Sequence, residues 1–149
     1  YDLVLEAQFA AIEAVVPNNH WNQPHEAAQR VIVEGLIDLG ILHGSYDEQL
    51  ESGDFKRFFM HRTGHWLGMD VHDVGDYKID DVWRQLEPGM VTTVEPGIYI
   101  AAGSEGVDES WWDIGVRIED DAVVTAEGCE IITGDVPKQA DDVEALMRG

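Results

Sequence analysis

The chain has 149 residues, 44% of them hydrophobic and 26% charged, a balance that can bury the core of one domain rather than stay disordered. Its 30 Asp and Glu outnumber 9 Lys and Arg for a formal charge of −21, which argues against nucleic acid or an anionic membrane as partner. The single cysteine, Cys129, excludes an internal disulfide framework and a cysteine-cluster zinc site, and no run approaches the ~18 apolar residues of a bilayer span.

Most of the acidity reads as solvated surface, with a minority of carboxylates free to hold cations. The chain opens at Tyr1, directly in apolar-periodic sequence, and reads as cut from something longer. Leu5, Phe9, Ile12 and Val16 recur at helical spacing and predict an amphipathic helix over residues 2–16, ended before Pro17. After a polar connection, Pro24 suits a first helical turn. The stripe Ala28, Val31, Ile32, Gly35, Leu36 and Leu39 then predicts a second helix, capped by Gly40.

Residues 45–56 read as a polar stretch, after which the sequence turns strand-like and rich in Gly, His and aromatics. Residues 90–94 are β-prone between the turn dipeptides Pro88-Gly89 and Pro96-Gly97. Residues 101–115 form a long polar loop carrying Trp111 and Trp112. Residues 116–119 alternate, Asp120-Asp121 can turn, Val123-Val124 starts a return strand, and residues 129–133 and 141–147 read as a strand and a short helix. Helices first and antiparallel strands afterwards give an α+β class.

Three of the six histidines, His61, His65 and His72, fall in MHRTGHWLGMDVHDVG, flanked by Asp70 and Asp73. His61 and His65 have the i,i+4 spacing of a helical zinc pair. However, Arg62 stands where HExxH has its glutamate and Gly64 is a poor helix former, so a zincin is disfavoured. In TTVEPGIYI, Thr93 and Glu95 share a strand face, and Glu95 is either a strand-end carboxylate facing water or an aimed ligand. In GVRIEDD, Arg117 and Glu119 share the face opposite Val116 and Ile118. Either they neutralise each other, or Glu119 meets a metal while Arg117 orients another carboxylate. One imidazole with two glutamates suits Mn²⁺, Co²⁺ or Zn²⁺, and bridging carboxylates suit a two-metal hydrolytic site. Composition and spacing name no substrate.

The blocks FFMHRTGHWLGMDVHDVGDY, LEPGMVTTVEPGIYI and GVRIEDDAVVT resemble, in order and spacing, the aminopeptidase P (Xaa-Pro aminopeptidase) branch of the pita-bread metallopeptidases. Weaker similarity runs through YDLVLEAQ and GLIDLGIL. The resemblance implies a pita-bread fold of antiparallel sheet with covering helices, incomplete at its N-terminal side, holding two divalent metals. Manganese is the metal implied first, with cobalt or zinc as alternatives. It also implies that His65, Glu95 and Glu119 are metal ligands, Glu119 bridging and Glu95 doubling as proton shuttle. His72 would hydrogen-bond the substrate and help stabilise the tetrahedral intermediate. His61 would lie near the proline-binding region, and Arg117 would partner the acidic ligands. The implied reaction releases the N-terminal residue of peptides with proline second, by attack of a hydroxide shared between the metals. The full-length protein is expected to be a cytoplasmic homo-oligomer.

The family's two other ligands are aspartates upstream of the opening helix, and Asp2, Asp70 and Asp73 are no substitutes. Residues 1–149 are therefore expected to be the C-terminal portion of the catalytic domain, weak in metal binding and nearly inactive alone, with an exposed sheet edge. Two alternatives share the fold: an Xaa-Pro dipeptidase (prolidase) and a non-catalytic binding module. Trp111 and Trp112 shape a substrate or subunit surface, or pack on the domain. Cys129 reads as a small apolar residue, and Trp21, His20, His25 and His43 as ordinary helix-pair or loop residues.

Overall fold

The apolar spacing of the first third folds as the two helices it predicts. The computed structural model describes residues 1–149. Helix α1 (Asp2–Glu13) buries Val4, Leu5, Ala7, Gln8 and Ala11, and ends three residues short of Val16. Phe9, expected on its apolar stripe, is 45% exposed. The inner face is instead built on Ala7 and Ala11, whose small side chains let α1 lie close to helix α2 (Gln23–Asp38). Gly35 is where the two approach most tightly: a Cβ there would sit 2.3 Å from Leu3 Cδ1. Pro24 lies in the first turn of α2, and Gly40, just past its end, has the left-handed backbone that closes helices. Helix α3 (Tyr46–Ser52) occupies the stretch read only as polar. Its signal was a capping box, in which Ser45 accepts from the Glu48 N–H and Glu48 reaches back to the Ser45 N–H.

Strands β1 (Lys78–Ile79) and β2 (Val82–Trp83) form a minimal hairpin turned by Asp80 and Asp81, both at positive φ. The long hairpin that matters comes next. Strands β3 (Val91–Val94) and β4 (Gly97–Ile100) lead up to a loop, and β5 (Ile114–Arg117) and β6 (Asp120–Val124) return from it. β6 pairs β3 and β5 pairs β4, all antiparallel, with Val94↔Asp120 on one side of a break and Gly97↔Arg117 on the other. The register is the same on both sides, so β3–β4 and β5–β6 are two arms of one bent ribbon. Asp120 and Asp121, expected as a turn, are therefore inside a strand. The hairpin loop is residues 101–113, and β6 does not fold back on β5. Asp120 can open a strand with its side chain buried because the carboxylate is paired with Lys138. Strand β7 (Cys129–Ile131) extends the sheet beside β6, and helix α4 (Ala140–Arg148) ends the chain with an exposed surface.

The histidine block is irregular rather than a strand, with an isolated bridge between Trp66 and Thr92. It runs along the outer edge of β3 and β4. Tyr99, Glu95 and Thr93 donate backbone N–H bonds to the carbonyls of Phe58, Thr63 and His65, and Leu67 donates to Val91. The exposed edge expected of the sheet is thus absent along β3 and β4, because residues 58–67 satisfy those backbone groups. A continuous apolar cluster from Val4 and Ile32 through Phe58 and Phe59 to Val94 and Val124 joins helices to sheet.

Candidate metal centre

The break in the bent ribbon brings the two predicted glutamates together. With Val94↔Asp120 and Gly97↔Arg117 as flanking pairs, Glu95 and Glu119 stand opposite each other across the gap. Pro96 supplies the gap by lacking an N–H, and its carbonyl accepts a long bond from Ile118 at 3.4 Å. Glu95 N points to the other edge, as Thr93 N does, and donates to Thr63 O at 2.7 Å. Thr93 shares the face of Glu95, as the alternation predicts, and its hydroxyl donates to Glu95 Oε1 at 3.0 Å.

His65 completes the set. Its backbone N–H donates to Thr93 Oγ1 at 3.0 Å, tying it to the same hydroxyl that fixes Glu95. Its Nδ1 lies 2.9 Å from the Trp66 carbonyl, which can only accept, so Nδ1 carries the proton and Nε2 keeps a lone pair. Nε2 lies 3.3 Å from Glu95 Oε1. Gly64 permits this arrangement, since a Cβ there would sit 2.2 Å from the Thr93 carbonyl oxygen. Ligand atoms of His65, Glu95 and Glu119 all fall within 4.8 Å of one another.

This donor set fits a divalent cation. Like charges directly opposite across a ladder destabilise it, and an imidazole whose Nδ1–H is held by a backbone carbonyl presents its Nε2 lone pair beside the two glutamates, as a metal ligand would. Burial and the charge of Glu95 push the Glu119 carboxyl above the usual glutamate range, with Arg117 opposing. Arg117 Nε stands 3.9 Å from Glu95 and 4.0 Å from Glu119. It is therefore not the exclusive partner of Glu119 but sits between both acids, half exposed.

Of the remaining predicted residues, His72 is exposed on the loop after His65, its ring centroid 4.3 Å from that of His65. His61 Nδ1 lies 2.7 Å from the Arg62 carbonyl, so Nε2 is the acceptor for the Tyr99 hydroxyl at 2.9 Å. Tyr99 went unnoticed in the sequence, although Glu95, Gly97 and Tyr99 alternate onto one strand face. Also missed was an aromatic wall. Trp21, Tyr77 and Trp83 line a cleft of about 560 Å³ with His61, His65, Glu95 and Arg117. Trp21 packs on Trp66 with ring centroids 4.0 Å apart and on Tyr77 at 4.7 Å. A tryptophan in a connecting loop carries no periodicity that would mark it.

Asp73 accepts from the N–H groups of Met69 and Val74 and so holds its own loop. Asp70 is exposed, and neither belongs to the ligand cluster. Trp111 and Trp112 are half-buried against the apolar core, and Trp112 Nε1 donates to Val107 O. Cys129 is half-buried in β7, and burial raises its thiol. His25, in the first turn of α2, is more than an ordinary helix-pair residue: its Nδ1 lies 2.9 Å from Thr63 Oγ1, and burial with nearby Arg62 and His61 lowers its pKa to about 4.

Known proteins share this fold. The family model for metallopeptidase family M24 matches residues 1–126. An Xaa-Pro aminopeptidase of Haemophilus influenzae is 50% identical over 99% of this chain, which covers 34% of that relative. The structure of Pseudomonas aeruginosa aminopeptidase PepP superposes with a TM-score of 0.97 at 57% identity, over 99% of this chain and 34% of the other. Zinc-substituted Escherichia coli aminopeptidase P in complex with product gives a TM-score of 0.93 at 47% identity, over 99% and 33%. The chain spans about a third of the length of these relatives.

Proposed function

Because the chain belongs to metallopeptidase family M24 and has its pita-bread architecture, we propose that it is the metal-site portion of an Xaa-Pro aminopeptidase, residues 1–149 forming the C-terminal part of the catalytic domain. The observation that carries the reading is the placement of Glu95 opposite Glu119 with the Nε2 lone pair of His65 beside them. His65, Glu95 and Glu119 would hold divalent metal, and oxygen donors with one imidazole support manganese, with cobalt or zinc able to replace it. When bound, two such ions supply Lewis acidity toward the scissile carbonyl and lower the pKa of water.

The chain's own residues do the rest. The Thr93 hydroxyl engages one oxygen of Glu95, so the carboxylate keeps one orientation and its other oxygen can take a proton and pass it to the departing amine. His72, exposed beside His65, can donate an N–H to the substrate carbonyl as charge develops on it. The Tyr99–His61 pair fixes an apolar ring edge at the cleft, and Trp21, Tyr77 and Trp83 offer a flat wall for a proline ring. Arg117 keeps the two glutamates from repelling each other apart.

Manganese, a cytoplasmic location and homo-oligomeric assembly of the full-length protein belong to this reading on the strength of the sequence resemblance. The test is hydrolysis by the full-length protein, loaded with manganese, of a tripeptide with proline second, its analogue with alanine second, and an Xaa-Pro dipeptide. Release of the first residue from the proline tripeptide alone is expected. Cleavage restricted to the dipeptide would replace the aminopeptidase with a prolidase, and no cleavage with bound metal would favour a binding module.

A further inference from the structure

One residue beyond Glu119 lies a carboxylate that the metal site does not use. Asp120 is 1% exposed, in a chain whose charge is −21. Its Oδ2 accepts from Gln8 Nε2 of α1 at 2.9 Å. Its Oδ1 accepts from Thr133 Oγ1 at 2.6 Å and meets Lys138 Nζ at 2.9 Å. Thr133 Oγ1 in turn accepts from the Asp121 N–H at 3.0 Å. Lys138 Nζ also donates to the carbonyls of Val136 at 2.9 Å and Thr133 at 3.3 Å, and the Lys138 carbonyl accepts from the Tyr1 hydroxyl at 2.7 Å. A buried carboxylate is tolerated only with partners of this kind, so the start of β6 is pinned where the tail after β7 places its cation.

The pinned residue is also the last pair before the break, Val94↔Asp120. Glu119 precedes Asp120 on one strand and Glu95 follows Val94 on the other, so the two glutamates face each other on the rung next to the anchored one. The Lys138 ammonium also neutralises what would otherwise be a third carboxylate charge beside them. We propose that Thr133 and Lys138, clasping Asp120, form a strap that positions Glu95 and Glu119 for metal. These are positioning residues supplied from outside residues 1–126, the span that the family model matches. The inference rests on the metal-site reading above.

The test is a calorimetric titration of the metal-free full-length protein with Mn²⁺ alone. Lys138→Met is expected to weaken the dissociation constant about 10- to 100-fold, the usual effect of losing a group that orients metal ligands. Thr133→Val, which leaves the ion pair in place, is expected to weaken it about fivefold, the equivalent of one hydrogen bond. Lys138→Arg is expected to recover most of the loss. Val33→Ala, in the core of α2 and away from the rung, is expected to lower the melting temperature while leaving the dissociation constant unchanged. A folded Lys138→Met protein that binds Mn²⁺ like wild type overturns the strap, and so does an equal loss in Val33→Ala. Should Lys138→Met fail to fold, Thr133→Val decides on the same criterion. If wild type itself binds no Mn²⁺, the metal-site reading fails and takes the strap with it.

Discussion

Glu95 and Glu119 illustrate a conflict between stability and function resolved within a few ångströms. Two carboxylates face each other across a strand pair, with only a half-exposed arginine between them. Removing one charge should therefore help the metal-free fold and harm the loaded site. Glu119→Gln is expected to raise the stability of metal-free protein by about 0.5 kcal/mol, seen as a higher urea midpoint, while abolishing the further rise that Mn²⁺ gives wild type. His25 makes a second prediction at this scale. Its folded pKa of about 4 lies below the 6.5 of a free imidazole, so the unfolded chain binds the proton first as pH falls. Its contribution is whole above pH 6.5 and is lost progressively down to about pH 4. His25→Gln should flatten that part of the urea-midpoint profile, and an unchanged slope would show that the ring takes its proton as readily in the fold as in the unfolded chain.

The element that builds the site is the bent ribbon, and it was only half legible in the sequence. Alternation correctly put Thr93 with Glu95, and the turn dipeptide Pro96-Gly97 marked a break. However, Asp120-Asp121 reads as a turn to any local rule, because the partners that let Asp120 enter a strand come from Gln8, Thr133 and Lys138, far away in the chain. The histidine block likewise showed its clustered imidazoles but not its form. It edges β3 through backbone bonds that no side-chain pattern reports. Close approach there makes Gly64 intolerant: a Cβ would meet the Thr93 carbonyl at 2.2 Å. Gly64→Ala is expected to cost about 2–3 kcal/mol, within the range of overpacked sites, and to loosen His65 from Glu95. Equal stability by denaturant titration would mean the edge segment can shift without loss. Helix α3 was legible in principle through Ser45 and Glu48, and Ser45→Ala should cost about 1 kcal/mol.

At the scale of the whole molecule, the −21 charge divides into a solvated surface, a clasped pair at Asp120 and Lys138, and the two facing glutamates. The family was legible because its blocks are short, local and carry their own chemistry. The aromatic wall and the strap were not, because they are assembled from loops and a tail whose residues meet only in three dimensions. His65, Glu95 and Glu119 are proposed to hold divalent metal. Three converging donors are few for two ions, so the 149-residue chain by itself is expected to bind manganese weakly and cleave little. The most direct measurement is the manganese content of the full-length protein after equilibration with Mn²⁺ and removal of free ion, in wild type and Glu95→Gln. Stoichiometric metal is expected in wild type, with its loss from a variant that remains folded. Metal retained in full by Glu95→Gln would contradict the proposal.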